Sequence, residues 1–159
     1  MKQILAVCLS SWCLLGIAQT TEELVNASRN TDNVTTQGMG YDLKNHSPLK
    51  QIDTSNVKRL VPVWSMSLMN DQGELAQPTV YNGVMYVVNG KWTFAIDIDI
   101  GTGQQIWRTP VESAPEAAAH ACCGTINRGA ATIYNGKLFR VTLDAHVIAL
   151  DMKTGSQES

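Results

Sequence analysis

The stretch "PTVYNGVMYVVNGKWTFAIDI", residues 78–98, consists of short apolar runs separated by turn-forming pairs. Its Asn-Gly pair at 82–83 lies between two such runs, an arrangement typical of a tight β-hairpin, because both turn positions need positive φ. The stretch "ATIYNGKLFRVTLDAHVIALDM", residues 131–152, repeats this order with Asn-Gly at 135–136. The sequence therefore predicts an all-β class for this part of the chain.

The two stretches belong to a longer repeat. "YNG", "A-x-D" and "Thr-Gly" recur together at offsets of 52 to 54 residues, the second copy ending in "ALDMKTG" at 149–155. A repeat of about 50 residues built from several strands predicts β-propeller blades, because one small sheet cannot bury both of its faces alone. The first copy, "AIDIDIGTG" at 95–103, is two residues longer, which favours a bulge or a longer turn. Two unrelated hairpins in a β-sandwich remain the alternative.

Composition limits the function classes. Hydrophobic residues make up 44% of the 159 residues and charged residues 16%, as expected for a globular domain. The formal net charge of −2 gives no reason to expect nucleic-acid binding or a polybasic membrane patch.

The N-terminus has the pattern of a secretory signal peptide over residues 1–18. Lys2 is followed by an apolar run and by the small-residue site Gly16-Ile17-Ala18. The run is too short to span a bilayer comfortably, so we expect a periplasmic or secreted protein without a membrane span after cleavage. A buried N-terminal helix is the alternative. Cleavage would leave only Cys122 and Cys123 in an oxidising compartment.

The mature chain divides into a polar segment, residues 19–38, and the predicted blades, residues 39–159. The polar segment contains "TTEELVNA", which predicts a short helix capped by Thr21. A helical turn begun by Asp53 or Thr54 and a strand over residues 60–68 are expected to precede the repeat.

Two motifs together resemble a known family. The second copy has A-x-D-x-x-T-G, and the first copy, with its two extra residues, continues as T-G-x-x-x-W to Trp107; together they resemble the tryptophan-docking motif A-x-D-x-x-T-G-x-x-x-W of eight-bladed propeller quinoproteins. The stretch "ACCGTINRGAA", residues 121–131, is similar to the pyrroloquinoline quinone (PQQ) site of methanol- and ethanol-type alcohol dehydrogenases. The resemblance implies a partial propeller, with two to three of eight blades, at the N-terminal end of a longer enzyme.

The adjacent cysteines have several possible roles on geometry alone. Neighbouring Cα atoms lie about 3.8 Å apart, below the usual disulfide separation of roughly 4.4–6.8 Å, so a bond between them would be strained. Free buried thiols and pairing between chains remain alternatives, whereas a zinc site is disfavoured because only His120 is near. The resemblance implies that Cys122 and Cys123 form a disulfide that lies flat against the quinone.

The resemblance also assigns cofactor contacts to three further residues. Arg128 corresponds to an arginine that binds a PQQ carboxylate, and a guanidinium suits that partner because it can bind both oxygens. Ile126 corresponds to an apolar residue at the ring edge, while Gly129 and Ala130 permit close backbone approach. Glu74 is in doubt. The family glutamate lies three residues before a proline, and Glu74 lies four before Pro78, a shift that reverses a side chain in a strand.

The implied reaction is oxidation of a primary alcohol to an aldehyde, with PQQ, Ca²⁺ or a lanthanide, and a c-type cytochrome as electron acceptor. The catalytic and metal-binding residues of the family lie in later blades, so we assign none here and expect this chain alone to be inactive. Asp97 and Asp151 are interpreted as turn caps. The alternative is a non-catalytic propeller scaffold, which would have no need of Cys122, Cys123 and Arg128 together.

Overall fold

The computed structural model describes residues 19–69, 75–99, 101–121 and 132–158, and within them two four-stranded antiparallel sheets. In each sheet the strands are neighbours in chain order, which is the meander of a propeller blade. The predicted all-β partial propeller is thus confirmed. The first blade comprises β1 (Thr79–Tyr81), β2 (Val84–Asn89), β3 (Trp92–Asp97) and β4 (Gln104–Pro110), and the second comprises β5 (Thr132–Tyr134), β6 (Lys137–Val141), β7 (Val147–Asp151) and β8 (Gln157–Glu158).

Both Asn-Gly pairs form the predicted hairpin turns. Asn82 and Gly83 have φ of 47° and 74°, and Asn135 and Gly136 have φ of 47° and 76°. Two consecutive positive values match the right-handed twist of the flanking strands, and asparagine and glycine adopt them most readily. These turns fix the register of β1 on β2 and of β5 on β6.

The two blades pack face to face around one apolar core. Tyr86 and Trp107 of the first blade contact a cluster in the second blade that includes Ile133, Leu138 and Leu150. These three aliphatic side chains are 0% exposed. Full burial of such a side chain contributes about 1.5–3 kcal/mol, so packing against the neighbouring blade stabilises each of the two.

Each Thr-Gly turn packs against a tryptophan from an earlier part of the chain. The Trp107 indole covers Gly155 so closely that a Cβ there would lie 2.6 Å from the ring, and Trp107 Nε1 donates to the Met152 carbonyl at 3.0 Å. Trp64 covers Gly103 in the same way, with a distance of 2.3 Å. Glycine is needed for close approach and for positive φ, which explains the repeated Thr-Gly.

The aspartates of the repeat are turn caps, as predicted. Asp151 Oδ1 accepts hydrogen bonds from the Thr154 backbone at 2.7 Å, the Thr154 hydroxyl at 2.8 Å and the Lys153 backbone at 3.0 Å. The Thr154 bonds lower the pKa of the Asp151 carboxyl. In the longer first copy, Asp97 Oδ1 accepts from the Asp99 backbone at 3.0 Å. Both carboxylates therefore stabilise the turn that receives the tryptophan.

The polar N-terminal segment lies against the edge strands of both blades. It begins with α1 (Thr21–Val25), and isolated bridges join Val34 to Val80 and Thr36 to Thr132. The predicted cap at Thr21 was wrong by one residue. Thr20 is the N-cap, because its hydroxyl accepts from the Glu23 backbone while the Glu23 carboxylate accepts from the Thr20 backbone.

Residues 60–68 are extended but form no strand within the described residues, so that prediction was wrong. Their alternation is present: Trp64, Met66 and Leu68 pack on the outer face of the first blade, whereas Val61 and Val63 are 77% and 78% exposed. A strand requires a hydrogen-bonded neighbour, and no described strand pairs with this segment. Asp53 does begin a turn, and a single 3₁₀ turn follows at Val57–Arg59. Two further single 3₁₀ turns lie earlier in the chain, at Ala27–Arg29 and Gln37–Met39.

The predicted signal peptide, residues 1–18, lies outside the described residues and stays a prediction. Within the described ranges no helix is long and apolar enough to cross a membrane.

Candidate cofactor-binding end of the blades

The segment that carries the two cysteines leaves from one end of the blades. The Asn-Gly turns lie at the opposite end of β2 and β6, because the strands of a meander reverse direction at each turn. Residues 111–131, here called the crossover loop, connect the end of β4 to the start of β5. The chain therefore leaves the first blade beside the β2–β3 turn, and β5 of the second blade starts toward the β6–β7 turn.

The sequence-predicted contacts themselves cannot be placed. Glu74, Cys122, Cys123, Ile126 and Arg128 all lie outside the described residues. Their roles, and the disulfide, stay predictions. The structure describes the crossover loop as far as residue 121, directly before the cysteine pair.

The first part of the crossover loop is tied to both blades. The Val111 backbone donates to the Lys91 carbonyl in the β2–β3 turn at 2.7 Å, and the Ala114 backbone donates to Asp144 Oδ2 in the β6–β7 turn at 2.7 Å. The loop then forms α2 (Ala117–His120), one helical turn that buries Ala117. Because α2 ends one residue before the end of this described range, these bonds fix where the chain leaves the described structure at residue 121.

A buried arginine joins the two blades beneath the crossover loop. Arg140 lies on β6, is 2% exposed, and donates from Nη1 to the Thr93 hydroxyl at 2.8 Å and the Lys91 carbonyl at 3.2 Å. Its Nη2 donates to the Gly90 carbonyl at 3.0 Å, while Nε is buried without a partner in the described part of the chain. Burial lowers the pKa of Arg140 to about 10, so the side chain is still charged at neutral pH.

A cavity of about 370 Å³ lies between the crossover loop and the turns of both blades. Its charged lining residues in the described ranges are Lys91, Glu112 and Arg140. Lys91 Nζ pairs with Glu112 Oε1 at 2.9 Å, and no described carboxylate pairs with Arg140. The charges of these three lining residues sum to one positive charge, which suits an anionic group such as the tricarboxylate PQQ better than a cationic cofactor.

The β6–β7 turn holds Asp144 in a fixed position. Asp144 Oδ1 accepts from the Thr142 hydroxyl and lies 3.1 Å from His146 Nδ1. The Thr142 hydroxyl, followed by the Ala114 backbone, holds the pKa of the Asp144 carboxyl well below its usual range. The side chain is therefore ionised at neutral pH and is a strong acceptor for the crossover loop.

Sequence reasoning missed Arg140 and the role of Asp144. An arginine inside the apolar run "KLFRVTL" was the available signal, since a charge in such a run is either outward-facing or buried with partners. Asp144 gave no signal, because turn aspartates are common. In the described residues, no three His, Cys, Asp or Glu side chains form a group that could hold a metal ion.

Comparison with known proteins decides the family. A sequence model described as the glucose/ethanol/alcohol dehydrogenase β-propeller domain, of the PQQ family, matches residues 36–159. The chain belongs to the PQQ family of dehydrogenase propellers. The resemblance inferred from the repeat and the cysteine motif is confirmed, and the β-sandwich alternative is excluded.

Similar quinoproteins cover the same part of the chain. The 1-butanol dehydrogenase (quinone) of Thauera butanivorans is 41% identical over 142 residues, 86% of this chain and 22% of the relative. Methanol dehydrogenase [cytochrome c] subunit 1 of Methylobacterium organophilum is 38% identical over 149 residues, 89% of this chain and 24% of the relative. This PQQ-family chain thus spans about a quarter or less of the length of these relatives.

Solved structures give the same result. A quinohemoprotein alcohol dehydrogenase from Pseudomonas putida HK5 superimposes with a TM-score of 0.80 at 34% identity, covering 87% of this chain and 20% of that one. A europium-containing methanol dehydrogenase gives a TM-score of 0.78 at 34% identity, covering 86% of this chain and 24% of that one. The two described blades therefore have the fold of PQQ dehydrogenases.

Proposed function

We propose that this chain forms the first blades of a PQQ-dependent dehydrogenase that oxidises primary alcohols to aldehydes in the periplasm and passes electrons to a c-type cytochrome. The observation that supports the proposal is that the described part of the crossover loop, residues 111–121, is hydrogen-bonded to both quinoprotein blades beside a cavity and is followed in the sequence by the motif that begins "ACCGTINRG". As the chain spans only a small part of its relatives, the activity is that of the longer protein.

In this proposal the chain's own residues bind and orient the cofactor. Cys122 and Cys123, as a disulfide, form a hard flat surface for one face of the quinone, and Ile126 contacts its edge. Arg128 binds a carboxylate, and its charge adds to the positive excess at this end. Glu74 is a further candidate contact. PQQ, when bound with Ca²⁺ or a lanthanide held by residues beyond this chain, would supply the hydride-accepting carbonyl.

Direct titration of the purified chain with PQQ tests the proposal. We expect quenching of tryptophan fluorescence that saturates, with affinity at least tenfold weaker in Cys123→Ser, because the flat surface is lost. Arg128→Ala should weaken binding by a similar factor, and Arg128→Lys by less, because it keeps the charge but loses the two-point contact.

The control is Arg108→Ala. Arg108 is exposed on β4, with its guanidinium carbon 4.6 Å from the Trp92 ring centre, and has no assigned cofactor contact. The Arg108→Ala variant should bind PQQ with the same affinity as the unaltered chain. Equal affinity in all variants would refute the assigned contacts. Absence of PQQ binding by the unaltered chain, with both thiols free, would favour the non-catalytic scaffold.

A further inference from the structure

We propose that Asp144 is a positioning residue for the crossover loop: its carboxylate holds residues 111–121 in the position from which the chain continues to Cys122 and Cys123. The proposal rests on the proposed function, because it assigns the cysteine pair to PQQ. Asp144 itself is not expected to touch the cofactor.

The carboxylate is presented by a turn that is itself fixed. The Thr142 backbone donates to the His146 carbonyl at 2.9 Å, and the His146 backbone donates to the Thr142 hydroxyl at 3.0 Å. The same hydroxyl donates to Asp144 Oδ1. One oxygen of Asp144 is thereby held within its own turn, and Oδ2 is directed to the Ala114 backbone at 2.7 Å.

This bond is the link between the second blade and the described part of the crossover loop. The loop's other backbone anchor, from Val111 to Lys91, reaches the first blade. The described part of the loop is thus hydrogen-bonded to each blade, and loss of the Asp144 carboxylate would remove this hydrogen bond to the second blade.

Backbone hydrogen bonds carry the position of Ala114 to Ala121, the residue before the cysteine pair. The Ala117 backbone donates to the Ala114 carbonyl at 2.9 Å, and the Ala121 backbone donates to the Ala117 carbonyl at 3.1 Å. Ala114, Ala117, Ala121, Leu143 and Asp144 also line one small cavity beside α2. A shift at Ala114 is therefore transmitted through one hydrogen-bonded helical turn to residue 121.

The test compares Asp144→Ala with Asp151→Ala, a matched control. Asp151 is a turn-capping carboxylate in the same blade that accepts backbone hydrogen bonds within its own turn, from Lys153 and Thr154. We expect Asp144→Ala to accelerate amide hydrogen exchange over residues 111–121 by about ten- to a hundredfold, the range expected for one hydrogen bond to a charged group. PQQ affinity should fall by about tenfold.

Asp151→Ala should lower thermal stability but leave unchanged both the amide hydrogen exchange of residues 111–121 and the affinity for PQQ. Asp144→Asn keeps an acceptor oxygen without the charge, so it should recover part of the protection, and it serves if Asp144→Ala does not fold. Unchanged exchange over 111–121 in Asp144→Ala and Asp144→Asn, or an equal effect of Asp151→Ala, would overturn the proposal. If the unaltered chain does not bind PQQ, the proposed function fails, while the exchange measurement over residues 111–121 still decides whether Asp144 positions the loop.

Discussion

Gly155→Ala tests whether tryptophan docking holds the blades together. The new Cβ would lie 2.6 Å from two carbon atoms of the Trp107 ring and 2.7 Å from the Thr109 hydroxyl, distances that require the indole to move. Gly155 also has φ of 73°, so alanine adds backbone strain. Gly136→Ala is the matched control, because Gly136 has φ of 76° and nothing within 4 Å of the added Cβ.

The two variants should differ by the free energy of the docking contact. Backbone strain costs both about 1–2 kcal/mol. Displacing Trp107 also breaks its hydrogen bond to Met152, about 1 kcal/mol, and exposing about 60 Å² of indole costs about 1.5 kcal/mol at roughly 25 cal/mol per Å². We therefore expect Gly155→Ala to lower the free energy of unfolding by about 2–3 kcal/mol more than Gly136→Ala.

Equilibrium urea unfolding, followed by tryptophan fluorescence, measures this difference. Gly103→Ala, which would bring a Cβ to 2.3 Å from Trp64, should resemble Gly155→Ala. Equal destabilisation by Gly155→Ala and Gly136→Ala, within about 0.5 kcal/mol, would refute the docking argument.

Two further predictions concern buried polar groups between the blades. Arg140→Met should lower the free energy of unfolding by about 2–4 kcal/mol in urea titrations, because the buried Gly90 carbonyl and Thr93 hydroxyl each lose the hydrogen bond from Arg140 and the Lys91 carbonyl loses one of its two donors; an effect no larger than that of exposed Arg108→Met would contradict this. Burial raises the pKa of Tyr86 to about 12, from an ordinary value near 10. Because the pKa of Tyr86 is higher in the folded than in the unfolded chain, the neutral phenol contributes to the free energy of unfolding below about pH 10. This contribution is lost as the pH rises towards about 12. Tyr86→Phe should remove this part of the loss of unfolding free energy at alkaline pH. An unchanged dependence of the unfolding free energy on pH in the variant would contradict the prediction.

The sequence predicted the local features of the fold well, because they depend on neighbouring residues. The Asn-Gly pair at 82–83 requires positive φ at two positions, and only a few residue types allow that. Asp151 caps a turn formed by the next three residues. The repeat then implied stacking, since one blade cannot bury both faces.

The features that the sequence did not predict depend on distant partners. Residues 60–68 have the alternation of a strand, but a strand also needs a neighbour, which alternation does not supply. Arg140 occupies a strand position at which an arginine could equally face solvent. Its burial follows from carbonyl groups on the neighbouring blade, about 50 residues earlier in the chain.

The central claim is that Cys122 and Cys123 form a disulfide surface for a flat anionic cofactor. Mass spectrometry of the exported chain, alkylated without reductant and then digested, tests it most directly. The account predicts that the peptide containing both cysteines carries no alkyl group, has lost the mass of two hydrogens, and gains two alkyl groups only after reduction. Alkylation of both cysteines before reduction, or a cross-link to a second chain, would contradict it.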